Sequence, residues 1–312
     1  MPISPTQGPG AGCSPGPPRG AASRCSQGLR SNPQPPVYLT SIPADPAPSS
    51  LEAEVEASPS MAVDTHCHPF LMEEEPGAIA ARAREAGVGR LVCVGIDPES
   101  SQASLAMAES LPGVFATAGV HPHSASAFDR RAGAIVEELL AHPLVVGVGE
   151  TGLDYYRRLS PPGDQRRAFR DHIALSRETG KSLVVHIRDA WEDAFAILSA
   201  EGADRVVLHC FTGDEAAANE AAVRGYFTSF AGNLTYPGAE TIRRAAAVAD
   251  GSRMLLETDS PFLPPQTHRG APNHPANIIE TASVLADIRS MNLDQMLRVT
   301  TAAARSAFPL IV

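Results

Sequence analysis

Lysine is almost missing from this sequence: Lys181 stands alone among 25 basic residues, and the others are arginine. Cysteine is sparse too. The five present, at positions 13, 25, 67, 93 and 210, form no CxxC pair and no disulfide framework, which points to a reducing, cytoplasmic setting. No apolar run approaches the ~18 residues of a membrane span, so no membrane partner is expected. The start lacks the basic end and apolar core of ~7–15 residues that mark a secretory signal. Positive charge is in deficit, with 25 basic residues against 35 acidic and a net charge of −10 at pH 7. Such a chain binds long nucleic acid poorly, because affinity for the backbone rests on neutralising phosphates. A site that grips one or two phosphates with the help of metal ions is not excluded.

The first 60 residues lack apolar periodicity and hold 13 of the 28 prolines. Stretches such as "GPGAGCSPGPPRG" cannot bury enough surface to offset chain entropy, so residues 1–60 are expected to be a disordered Pro/Gly/Ser-rich extension. Met61 is then where the folded protein begins, and it is also a candidate translation start. Setting aside three arginines and four acidic residues of that extension leaves 22 basic against 31 acidic residues in 61–312. That length suffices for one large α/β domain with a sizeable core, and no obligate protein partner is implied.

From Met61 onward, short β-branched runs alternate with helical stretches. The apolar runs fall at 62–66, 90–96, 114–120, 144–150, 182–187, 205–210, 225–230 and 253–259. Between them lie segments such as "GAIAARAREAG", "AGAIVEELLAHP" and "QRRAFRDHIALSRETG", many closed by Gly or Pro. Near-continuous apolar strands alternating with helices imply a parallel sheet buried on both faces. Eight units in about 250 residues predict a (β/α)8 TIM barrel. A doubly wound open sheet is the structural alternative.

The polar residues fall where a barrel keeps its chemistry. His66 and His68 end strand 1, Glu150 strand 4, His186 strand 5, His209 strand 6 and Asp259 strand 8. All six thus lie at C-terminal strand ends, the active-site face of the fold. An HxH pair alone is weak evidence, and a second, His121-Pro122-His123, ends strand 3. Residues two apart in a strand share a face, so His66 and His68 can project together while Cys67 points away. Cys67 and Cys210 then read as packing residues beside ligands. Imidazoles with carboxylates suit Zn, Mn, Fe or Co, and the carboxylates also admit Mg. Four His, one Glu and one Asp exceed one tetrahedral ion and fit two.

These motifs, in order, resemble the TatD family of metal-dependent deoxyribonucleases, within the amidohydrolase-like barrels. The resemblance spans 62–308 and rests on "DTHCHP", "GVHPH", "GETGLDYYR", "VVHIRDA", "LHCFTG", "ETDSPFLPP" and "RGAPNHPAN". By similarity, His66, His68 and Asp259 hold one metal, His186 and His209 the other, and Glu150 bridges. Several related hydrolases bridge their metals with a carboxylated lysine. Lys181 precedes strand 5, at the opposite end of the barrel, so Glu150 must supply that carboxylate, which argues against a phosphotriesterase-type lactonase. Two departures stand out. Pro69 and Phe70 replace the usual Leu-Asp after the HxH, which bears on loop 1. Ala303 takes the position of a common Asn, where a loop or capping contact is expected to differ.

The resemblance implies a 3′-5′ exonuclease acting on DNA, at single strands or 3′ ends, with two divalent ions (Mg, Mn or Zn). An activated water attacks phosphorus in line, and Asp259 and Glu150 are the catalytic carboxylates, Asp259 taking the proton. His121 and His123 are candidates for contact with the phosphate or the leaving oxygen, and Arg157, Arg188 and Arg269 for positioning the nucleotide. Arg188 can instead pair with Asp189, and His268 and His274 read as loop residues. A metal-dependent esterase, of the lactonase or D-aminoacyl-tRNA deacylase type, is the alternative chemistry. A non-catalytic binding scaffold is the alternative of another class.

Overall fold

A computed structural model describes residues 61–309; the expected extension 1–60 lies outside the described residues. Eight strands follow in sequence: β1 (Ala62–Cys67), β2 (Val88–Val94), β3 (Val114–Ala118), β4 (Val145–Asp154), β5 (Ser182–Arg188), β6 (Val206–Leu208), β7 (Phe227–Phe230) and β8 (Met254–Leu256). Each strand pairs in parallel with the next, so their order in the sheet is their order in the chain. Between them run α1 (Pro76–Glu85), α2 (Pro98–Ser110), α3 (Arg130–Leu140), α4 (Pro162–Thr179), α5 (Trp191–Ala200), α6 (Glu215–Val223) and α7 (Glu240–Val248). After β8 come α8 (Ile278–Ile288) and α9 (Leu293–Ala307). This is the TIM barrel that the spacing predicts, and the open-sheet alternative fails.

Local chemistry sets the helix limits. Asp97 caps α2 by accepting from the Ser100 amide, and Ser100 accepts in return from the Asp97 amide, a capping box that satisfies two orphan donors. Gly180 ends α4 in the left-handed region at φ 67°. Two layers of core follow from strand alternation. Val63, Val92, Val146, Val184, Val207, Phe227 and Leu255 fill the barrel interior, and Ala303, Ala304, Ala307 and Phe308 of the α9 end close its floor. Leu91, Cys93, Ala116, Val148, Leu183 and Val185 face outward against the helices. Ala303 is therefore a floor residue, 2% exposed, and not the loop or capping position that the motif suggested. A side chain with an amide there would have to be buried among apolar groups.

The ring closes without a regular ladder between β8 and β1. One bridge joins Cys67 to Ser260, and the His68 amide donates to Ser260 O at 2.7 Å. The Asp259 amide donates to His66 O at 2.8 Å. Below them the buried Asp64 carboxylate accepts from Thr258, from its amide at 2.9 Å and its hydroxyl at 2.6 Å. The seam thus runs directly under three of the candidate site residues.

Candidate metal centre

Two bulges put the first ligands in place. On β1, Val63 pairs with Arg90, Asp64 with Leu91, and Cys67 with Cys93. Three steps on β1 match two on β2, leaving Thr65 and His66 together opposite Val92 of the interior. Simple alternation from Val63 would send His66 outward; the extra residue reverses the parity, so His66 and His68 face the mouth and Cys67 the outer core. On β4, Val148 pairs with Leu183 and Thr151 with Val185, so Gly149 and Glu150 together oppose Val184. Glu150 is thus mid-strand, not at a strand end, because β4 runs on to Asp154. Asp259 also differs from expectation: β8 stops at Leu256, and Asp259 sits beyond it at φ 54°.

Around Glu150 the groups separate into two sets. Its Oε2 lies 3.3 Å from His66 Nε2 and 3.8 Å from His68 Nε2. Asp259 Oδ1 is 3.3 Å from His68 Nε2 and 3.9 Å from His66 Nε2, and the two imidazole nitrogens are 3.1 Å apart. The other carboxylate oxygen, Oε1, faces His186 Nδ1 at 3.0 Å, His209 Nε2 at 3.0 Å and His121 Nε2 at 3.3 Å. His186 Nδ1 and His209 Nε2 are 3.3 Å apart. Tetrahedral ligands ~2.1 Å from an ion are ~3.4 Å from one another, so both sets have the spacing that a divalent cation requires.

Tautomers assign the roles further. His68 Nδ1–H donates to Val94 O at 2.8 Å, which leaves the Nε2 lone pair directed at the cluster. His209 Nδ1–H donates to Glu257 Oε1 at 3.1 Å, the carboxylate–histidine arrangement that orients metal ligands. Glu257 Oε1 also takes the Cys210 amide at 2.7 Å. His186 turns Nε2 toward Asp154 Oδ2, 3.5 Å away, and keeps Nδ1 for the cluster. His121 is different. Its Nδ1 accepts from the His123 amide at 3.0 Å, so the neutral ring carries its proton on Nε2 and donates it to Glu150. His121 holds the carboxylate and is not a free ligand.

The electrostatics divide the rings: burial keeps His66 and His121 neutral, while the carboxylates beside His68, His186 and His209 outweigh burial and raise them. Burial lowers His66 to about 3 and His121 to about 4. For Glu150, burial opposes the charge, but His209, His121 and His186 outweigh it and hold the carboxyl well below its usual range. For His209, burial opposes protonation, while Glu150 and Glu257 push it well above its usual value. Four imidazoles and two carboxylates converging at these spacings are a donor set for cations, and the residues fit that role.

A cavity of about 700 Å³ opens over the cluster, lined by His68, His121, His123, Glu150, His186, His209 and Asp259. Arg157 and Arg188 line it as well, together with Trp191, Asn233 and Phe262. His123 Nε2 is engaged by Asp154 Oδ2 at 2.8 Å. Arg269 does not line the cavity; its guanidinium lies 4.3 Å over the Tyr236 ring, so its expected role in positioning the nucleotide is not supported. Arg188 packs over Tyr156 at 3.9 Å, and no ion pair among the described residues joins it to Asp189. His268 pairs with Glu280 and His274 accepts from the Ala276 amide, both as loop residues. Phe70, the departure in loop 1, sets its ring edge against His68 at 5.7 Å. Cys67 is buried in the outer core, whereas Cys210 also lines the cavity. Lys181 lies at the far end and donates to His142 O at 3.0 Å and to Val145 O.

Sequence reasoning missed three supporting acids and one histidine. Asp64, Asp154 and Glu257 are fully buried beside the site, and each belongs to a quoted motif, yet a carboxylate two to four residues from a ligand gives no signal of its own. His172 of α4, fully buried, accepts the Val120 amide at 3.0 Å on Nε2 and donates to Ala168 O at 2.6 Å, which anchors the backbone just before His121. Burial lowers its pKa to about 4. A histidine depressed in this way contributes stability that is present above ~6.5 and lost as pH falls toward about 4. His172→Gln, which keeps an acceptor and a donor, should therefore flatten the fall in Tm over that window relative to wild type, and His172→Leu should lower Tm at every pH. A His172→Gln melting curve that tracks wild type through the window would show that His172 does not titrate on unfolding.

A model of the TatD related DNase family matches residues 63–309. The uncharacterized metal-dependent hydrolase YabD of Bacillus subtilis is 34% identical over 252 residues, covering 80% of this chain and 99% of that protein. The 3′-5′ ssDNA/RNA exonuclease TatD of Cronobacter sakazakii is 37% identical over 190 residues, 60% of this chain and 72% of that protein. The crystal structure of YJJV, a TatD homolog from Escherichia coli, superposes with a TM-score of 0.76 at 26% identity, covering 81% of this chain and 99% of that one.

Proposed function

The chain belongs to the TatD related DNase family of metal-dependent hydrolases, and from that premise we propose that it cleaves phosphodiester bonds at the 3′ ends of DNA. One observation carries the reading: the two oxygens of Glu150 face two different ligand sets. His66, His68, Asp259 and Glu150 Oε2 would hold one divalent ion, and His186, His209 and Glu150 Oε1 the second. Bound there, ions such as Zn, Mn or Mg lower the pKa of a water and offset charge on a phosphate.

The remaining work falls to the chain itself. Asp259 borders the cavity with its carboxylate partly exposed, and accepts the proton of the attacking water. His121 fixes Glu150 through its Nε2–H. His123, held by Asp154 through Nε2, lines the cavity as the candidate contact for the leaving oxygen. Arg157 and Arg188 on the cavity wall grip phosphate by charge-assisted hydrogen bonds. The name of the Cronobacter relative supports nucleic acid as the substrate class. No helix among the described residues is long and apolar enough to cross a membrane.

Chelation followed by titration with single metals tests this directly. Cleavage of an end-labelled oligonucleotide should vanish on stripping and return with Mn, Mg or Zn. Metal-loaded protein that hydrolyses carboxylic esters but leaves the oligonucleotide intact would replace the nuclease with the esterase reading.

A further inference from the structure

Several large exposed apolar side chains follow the C-terminal ends of strands, the face on which the cavity opens, and one of them, Phe262, lines it. Leu71 follows β1, Tyr156 and Leu159 follow β4, and Phe262 follows β8, and these four are among seven such residues in the described chain. Single exposed apolar residues need no explanation, but several on the face of the barrel that bears the cavity mark a contact surface. In a closed ring of eight strands, β4 and β8 stand opposite each other. Tyr156 and Phe262 therefore rise from opposite walls.

Each wall offers a flat face. Phe262 is 51% exposed, lines the cavity, and sets its ring edgewise to His68 at 6.1 Å. Across from it Tyr156, 62% exposed, carries the Arg188 guanidinium 3.9 Å over its ring, and Arg188 lines the cavity. The aromatic face holds one side of the planar cation, and the cation itself lines the cavity. Aromatic and guanidinium planes beside arginines are what unpaired nucleobases stack on, whatever their sequence. Bases inside a duplex are already stacked and offer no such face.

We propose that the cavity mouth carries two nucleobase platforms, the Tyr156-backed Arg188 guanidinium and the Phe262 ring, which hold the bases on either side of the phosphate being hydrolysed. The proposal rests on the phosphodiesterase reading and adds the residues that would grip a single-stranded end, whose last two bases are free to splay apart. It also accounts for an acidic protein acting on a polyanion, since stacking supplies grip that net charge does not.

The test compares a single-stranded oligonucleotide with one whose last two nucleotides are abasic, using wild type, Tyr156→Ala, Phe262→Ala and Phe262→Tyr. On the normal strand each alanine variant should lose about tenfold in kcat/KM, mostly through KM, and Phe262→Tyr should stay near wild type. On the abasic strand wild type should itself be slow, and the alanine variants should match it. Equal losses on both strands, or no loss on the normal one, would overturn the stacking proposal while leaving the nuclease reading intact. Wild type that cleaves neither strand when loaded with metal would overturn both.

Discussion

Glu150→Gln is expected to lower kcat/KM on any phosphodiester by about 10³-fold or more and to reduce bound metal from two equivalents to at most one. The carboxylate is 2% exposed, and its oxygens contact five imidazoles within 3.8 Å. Gln keeps the shape but swaps one charged acceptor for an amide donor, which would point an N–H at nitrogen lone pairs already aimed inward. It also removes the negative charge that the histidines around it share. Secondary structure should survive, because the bulge at Gly149 and Glu150 is set by backbone pairing with β5. Metal analysis after gel filtration, alongside kinetics, reads both effects. A Gln variant that keeps two equivalents of metal and near-normal rates would refute the bridging role.

The second large effect is expected from a residue with no side chain. Gly152 has φ 135°, and a Cβ built there would meet His186 O at 2.1 Å. Gly152→Ala therefore combines a backbone conformation that L residues rarely adopt with a clash against main chain that cannot rotate away. The expected cost is about 3 kcal/mol or more of stability, as for strained overpacking in a core. The damage is also directional. Relief of the clash must part β4 from β5 at the level of His186, moving Nδ1 away from Glu150, now 3.0 Å distant. Loss of one metal equivalent should accompany the fall in Tm. An alanine variant with unchanged Tm and full metal content would show that the strands adjust freely.

Much of this was readable in the chain, for identifiable reasons. A parallel sheet buried on both faces leaves continuous apolar runs such as "LVVGVG", and the polar ligand groups that follow interrupt them visibly. Alternation correctly put His66 with His68. It could not say which face they share, because that depends on a one-residue register slip between Asp64 and Cys67. The same kind of slip placed Glu150 inside a strand that continues to Asp154. The bridging geometry came from resemblance and not from spacing, since no sequence period relates Glu150 to His209. Ala303 was misread because a helix end that plugs a barrel looks, in sequence, like any amphipathic turn. Arg269 lies off the cavity because its loop sets the guanidinium over Tyr236, a placement that no motif spacing reveals.

The floor made by Ala303, Ala304, Ala307 and Phe308 has a consequence for how the enzyme matures. Chains emerge from the ribosome N-terminus first, and every candidate ligand, from His66 to Asp259, is polymerised before that floor. Until α9 is made, the lower end of the interior, at Val63, Val146 and Leu255, lacks the cover that Ala303 to Phe308 provide. Competence for chemistry is among the last properties that the growing polypeptide acquires. A chain ending ahead of α9 would carry all six candidate ligands over an interior whose lower end lacks its cover.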